Sequence, residues 1–187
     1  MKINESDLHK LATAMENKKL SVNQAIELIE NSNVQSQKVI DTTNEIKLVI
    51  DYTKTIKQVI ADGEYDYKNS NVTSENFPIS PEMIGKKVEV SAKLFHFNHD
   101  ISSNDAISKM DKDGYRPAAL MELLTLGFLF PELQRQFPIV ALGSVWCDTG
   151  DDHRVLYLEV YASKRKLDFT WFDGGWSARC RFLGVRK

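Results

Sequence analysis

The sequence predicts an α+β domain over residues 86–187, preceded by a helical region over 1–62 and a linker over 63–85. Three observations carry this reading. All three Trp, both Cys and eight of the nine Phe lie beyond Gly85, and large aromatics supply much of a core's buried area. The same stretch reads in order as a strand, two helices and four strands, which argues for a largely antiparallel sheet. The charge changes at the same place. Residues 1–85 hold nine Lys, no Arg and thirteen acids, whereas residues 86–187 hold eight Lys, seven Arg and thirteen acids.

The first region reads as helices. Leu8, Leu11 and Met15 recur at helical spacing, and Ser21 with Gln24 forms the S-x-x-Q pattern of a capping box before the Ala25, Ile26, Leu28, Ile29 stripe. That predicts a hairpin ending near Asn31. A longer helix follows from Gln35 to Ala61, with Val39, Ile46, Val49, Ile56 and Ile60 near a seven-residue repeat and Thr42 and Thr53 in two seam positions. Its β-branched residues lower helix propensity, so a strand stays open as the alternative. The apolar face suits packing within the protein, a homo-oligomer through the N-terminal helices, or a docked partner. Period alone does not separate these. Residues 64–81 are Tyr, Asn, Ser, Thr and Pro without periodicity, as a linker or extended arm would be.

In the second region Val88, Val90, Ala92 and Leu94 alternate with polar residues, the pattern of a half-buried strand. Phe95 and Phe97 change phase where His96 and His99 sit. Ser103 caps a helix bearing Ala106, Ile107 and Met110, and Gly114 stops it. A second helix runs from Ala118 to Leu126, and Pro131 opens one more turn. Strands follow at Ile139–Trp146, Val155–Tyr161, Leu167–Trp171 and Cys180–Val185. Polar turns at Asp148–Asp152, Ser163–Lys166 and Asp173–Gly175 separate them.

Composition restricts the chemistry. A net charge of −2 gives no whole-protein field for nucleic acid or anionic membrane. No apolar run resembles a secretory signal or a membrane span, so the expected location is cytoplasmic. Cys147 and Cys180 fall in strands and read as small free hydrophobes. Asp148-Thr149-Gly150 spells the aspartic-protease tripeptide once, yet that chemistry needs two such aspartates; the turn reading uses the same residues for backbone reasons. His96, His99 and Asp100 lack a second ligand cluster, and Asp148, Asp151 and Asp152 lack the bidentate Glu of a calcium loop. No glycine-rich phosphate loop occurs. The expectation is therefore no catalytic residues, no metal and no cofactor. Residues 162–187 hold seven Lys or Arg with Trp171, Phe172 and Trp176 interleaved. These suit either stacking on single-stranded nucleic acid or a sheet with aromatics inside and Arg outside.

Two local patterns resemble a known family. Gly114-Tyr115-Arg116-Pro117-Ala118, followed by Glu122-Leu123-Leu124, is similar to the lead into a helix in formylglycine-generating-enzyme-type domains of C-type-lectin-like fold. Trp176 and Cys180-Arg181-Phe182-Leu183-Gly184-Val185-Arg186 resemble the family's terminal stretch, also found in variable proteins of diversity-generating retroelements. Cys180 stands where the family has Gly. The resemblance covers residues 86–187 and implies a C-type-lectin-like, mostly antiparallel sheet with two short helices. It also implies a non-enzymatic binding protein that recognises a protein or other ligand. The expected binding face is Tyr157, Tyr161, Trp171, Phe172, Asp173, Trp176 and Arg179. Two rival readings are a mobile-element or phage-encoded inhibitor of a nucleic-acid enzyme, acting through the basic ending, and a small metal-dependent hydrolase built on His96, His99 or Asp148.

Overall fold

Ile46, Leu48 and Ile50 alternate with Lys47, Val49 and Asp51, and the alternation folds as a strand, β1 (Ile46–Asp51), that buries the first set. This is the first strand of the computed structural model, which describes residues 45–187. It overturns the expected continuous helix from Gln35 to Ala61. Side chains two apart lie on one face of a strand but well apart around a helix, and here all three of the set are wanted on one buried face. Helix returns only after Thr55. The Thr55 hydroxyl accepts the Gln58 N–H and the Gln58 side chain returns to the Thr55 N–H, closing a capping box that opens α1 (Ile56–Asp62). The predicted hairpin before Asn31 lies outside the described residues.

Nor is the following stretch a free linker. Tyr65, Val72 and Phe77 are buried in the main core, and β2 (Tyr67–Lys68) lies on the edge of the sheet. The described residues form one unit, so β1, α1 and residues 63–85 share the core assigned from the sequence to residues 86–187. A fully buried Leu or Ile contributes about 1.5–3 kcal/mol. Leu48 and Ile50 are both fully buried, and β1 is thus integral to stability.

The remaining strands are β3 (Lys87–Phe95), β4 (Ile101–Ser102), β5 (Tyr115–Pro117), β6 (Ile139–Cys147), β7 (His153–Tyr161), β8 (Lys164–Trp171), β9 (Gly175–Trp176) and β10 (Arg181–Arg186). Between them lie α2 (Ser103–Lys112), α3 (Leu120–Leu129) and α4 (Leu133–Gln136). The main sheet has eight strands, ordered β1-β3-β10-β6-β7-β8-β2 with β5 also paired to β10. β4 and β9 form a separate ribbon.

This sheet corrects the expected fold class. It is mixed: five of its seven described strand pairings are antiparallel, but the last strand enters the middle, where β10 runs antiparallel to β3 and parallel to β6. β2 is likewise parallel to β8. A strand, β1, also stands within the N-terminal region expected to be helical, and residues 86–187 carry the two expected helices and the short turn of helix after Pro131.

Both faces carry a core. On one, Leu48, Leu94, Leu156, Leu167 and Leu183 pack with Ile56 and Ile60 of α1 and Leu123 and Leu124 of α3. On the other, Phe95, Val140, Val155 and Phe182 pack with Ala106 and Met110 of α2 and with Trp176. Among the described residues no helix is long and apolar enough to cross a membrane.

Candidate functional site at the open end of the β7–β8 ribbon

The β6–β7 connection is built by one carboxylate. Asp148 Oδ1 accepts the N–H groups of Gly150 (2.9 Å) and Asp152 (3.2 Å), while Asp151 takes the left-handed conformation at φ 60°. Asp148 Oδ2 accepts Arg154 Nε at 2.9 Å, and Asp152 lies 3.4 Å from Arg154 Nη2. The backbone N–H of Gly150 and the Arg154 guanidinium together hold the Asp148 carboxyl below its usual range. The tripeptide is thus occupied as a turn.

Fixed in this way, Arg154 lies over Trp171, its Cζ 3.3 Å from the ring centre. Trp146, Arg154 and Trp171 stand opposite one another on three neighbouring strands and so share a face. Behind them Trp146 packs on Phe169 at 5.2 Å, and Phe169 stacks on Phe77 at 5.7 Å. The row is only partly covered: Trp171 is 49% exposed.

A groove of about 350 Å³ adjoins this end, lined by Tyr52, Ile56, Phe77, Met83, Met121 and Val145 among others. Its wall includes Gly143, Ser144 and Val145, where β6 shifts register between Ala141 and Val145. There Gly143 donates its N–H to the Ala118 carbonyl and the Ser144 hydroxyl accepts the Leu120 N–H. Only glycine fits the close approach, since a Cβ at Gly143 would sit 2.6 Å from the Pro117 carbonyl oxygen. α3 starts beside it. Buried Glu122 accepts the Ala119 N–H and both terminal nitrogens of Arg116, which satisfies the carboxylate where burial would otherwise be costly.

The residues expected to share a binding face do not share one. Tyr157 and Tyr161 stand opposite Asp168 and Lys164, on the face away from Trp171. Tyr157 donates to Glu159 at 2.9 Å; burial chiefly, and that bond next, push its hydroxyl pKa up. Lys166 bridges Glu159 and Asp168 and lies 5.0 Å over Tyr67 and 5.9 Å over Tyr161. Phe172 is half-buried against the α2 side. Asp173 is exposed, 3.5 Å from His153 Nδ1. Trp176 is a core residue at 6% exposure, donating Nε1–H to Ser103 Oγ and meeting Phe182 edge-on. Arg179 is exposed in the approach to β10. Sequence reading missed Arg154, Val145 and Phe77. The signal for Arg154 was its place two residues after the turn, in register with Trp171.

Other candidate chemistry is occupied locally. His96 Nε2 lies 2.9 Å from the Ala178 carbonyl, and His99 Nδ1 lies 2.7 Å from the Asp100 carbonyl, with Lys109 Nζ at 3.0 Å from its Nε2. Among the described residues no three His, Cys, Asp or Glu side chains gather as a metal set. Much of the basic ending is paired with acids: Arg186 with Glu45, Lys187 with Asp111, and Lys166 with Glu159 and Asp168. No protein-family model, curated protein or solved structure matches this chain.

Proposed function

We propose that this chain is a non-enzymatic recognition module that contacts a protein partner through the open end of the β7–β8 ribbon and the groove beside it. The observation that carries this reading is the Arg154–Trp171 stack. An indole that is 49% exposed forgoes much of the stabilisation its burial would bring. Here it is held rigid by a guanidinium that Asp148 and Asp152 already orient. Trp and Arg dominate binding hot spots when the partner's surface removes them from water. Because Arg154 is neutralised by its own acids, the stack favours an apolar or aromatic side chain on the partner. The adjoining groove offers room for a second anchor.

The test is selection from a random peptide library on the purified protein, followed by amide mapping of the hits. Bound peptides should shift Val145–Cys147, Arg154 and Trp171, and should lose at least about tenfold in affinity on Trp171→Ala, as a hot-spot truncation does. Peptides that bind the Trp171→Ala protein equally well, or that map to the Tyr157–Tyr161 face, would overturn the assignment.

A further inference from the structure

The two outer edges of the main sheet are unlike. One ends on β2, two residues long; the other ends on β1, six residues long. Among the described residues no strand pairs with the outer side of β1. A strand of that length carries unpaired backbone donors and acceptors, a template for another strand.

We infer that β1 pairs antiparallel with β1 of a second copy of this chain, across a two-fold axis at Val49. The register follows from the side chains. Ile46, Leu48 and Ile50 face the core, while Lys47 and Val49 are exposed and Asp51 is half-exposed. A period of two permits only registers that keep the buried set of one copy beside the buried set of the other. Three nearby registers do so. With Leu48 on the axis, Glu45 faces Asp51 and two acids oppose. With Ile50 on the axis, Asp51 faces Val49 and Lys47 faces Thr53, so no charge is answered. With Val49 on the axis, Lys47 of each copy faces Asp51 of the other, Leu48 faces Ile50, and the two exposed Val49 side chains cover one another. Only the last answers both charges and covers Val49.

The neighbouring strand reinforces this choice. Lys87 lies 3.1 Å from Asp51 and Glu89 lies 2.9 Å from Lys47. Lys47 of the second copy would therefore complete a row of alternating sign that starts at Lys87 and Asp51. Opposite charges in one fixed register give specificity, where a lone edge lysine would merely repel other strands. The pairing also has a consequence for the recognition reading, on which it does not depend. β1 and β8 lie toward opposite edges of the sheet, so a dimer through β1 presents two open ends, and avidity follows for a repeated partner.

The experiment uses the full chain. Light scattering across the micromolar range should show a dimer. Val49→Lys sets like charges together on the axis, yet within each copy it faces Glu89 on β3 and so favours the folded monomer. That variant should be monomeric yet unfold cooperatively, with a thermal midpoint independent of protein concentration, and mixing it with Val49→Glu should restore a heterodimer. Register is read by crosslinking with Cys147 and Cys180 replaced by Ser. Val49→Cys should form a disulfide-linked dimer under mild oxidant and Lys47→Cys should not, because position 47 faces position 51. A monomeric wild type, a dimer that survives Val49→Lys, or equal crosslinking at 47 would each overturn the inference.

Discussion

The two ends of the β7–β8 ribbon hold an arginine against an aromatic ring in opposite ways. At the open end Arg154 stacks on half-exposed Trp171 and answers two carboxylates. At the closed end Arg165 is buried, with Tyr65 beneath it, and its guanidinium donates to the carbonyls of Gly63 and Gly127 (both 2.8 Å) and to Gln134 Oε1 (3.2 Å). Its partners are neutral, and burial pulls its pKa down. Gln134 in turn donates to the Glu159 and Lys166 carbonyls. The buried arginine ties α1's C-terminus, α3 and α4 to the ribbon; the exposed one ties the ribbon only to its own turn. Similar side chains thus serve as a staple at one end and a presented surface at the other.

The largest expected effect tests that contrast directly. Arg165→Met removes the donor from two buried carbonyls and an amide oxygen, each a group that costs about 1–3 kcal/mol when left unpaired, and the protein should lose about 3–5 kcal/mol. Arg154→Met leaves acceptors that water can reach, and about 1 kcal/mol is the expected loss. Chemical denaturation of the two variants checks the difference. Equal losses would mean that the closed end is no staple.

A second pair of changes sharpens the packing at the closed end. A Cβ at Gly127 would lie 2.2 Å from the Tyr65 hydroxyl oxygen and 2.8 Å from Leu158 Cδ1. Gly127→Ala is therefore expected to cost about 1–3 kcal/mol through overpacking. The Tyr65 hydroxyl is buried and finds no hydrogen-bond partner among the described residues, so Tyr65→Phe should be neutral or stabilising by about 1 kcal/mol. Since it also removes the nearest obstacle, the double variant should be less damaged than the sum of the singles, a coupling that a double-mutant cycle measures. Strict additivity would place the clash at Leu158 instead.

How much of this was legible in the sequence depends on which interaction decides each element. Turn chemistry and alternation gave β6, β7, β8 and β10 within a few residues, because Asp148 to Asp152 and Asp173 to Gly175 are strong local turn signals. β1 was obscured. Its own alternation is clean, but Val39, Val49, Ile56 and Ile60 extend a helical period across it, and only burial of Ile46, Leu48 and Ile50 on one face decides for strand. Mixed pairing was not legible, since nothing local in Arg181–Arg186 says that it enters between β3 and β6. The binding face failed on register. Ala162 and Ser163 make the β7–β8 turn with φ of 48° and 67°, a two-residue hairpin turn without the usual Asn or Gly. Reading that turn as Ser163–Lys166 hid the pairing of Arg154 with Trp171, and with it the fact that Tyr157 points the other way. Trp171 and Trp176, five residues apart, have opposite fates because β9 leaves the main sheet to pair with β4.

The smallest effect distinguishes the two ends by pH. The Asp148 carboxyl is held below its ordinary value by the Gly150 N–H first and Arg154 next. A group whose folded pKa is depressed adds stability that is present above its unfolded pKa and is lost as pH falls through the folded one. Asp148→Asn keeps an acceptor for Gly150 and Asp152 but gives up the charge facing Arg154. The gap in thermal midpoint between wild type and this variant should be widest near neutrality and close as pH drops below the ordinary carboxylate range. For Arg165→Met the corresponding gap should stay flat over that window, because the guanidinium's own partners, Gly63, Gly127 and Gln134, do not titrate. If both gaps close together, the acid sensitivity belongs to the whole ribbon, and the open end is not electrostatically separate from the staple that anchors it.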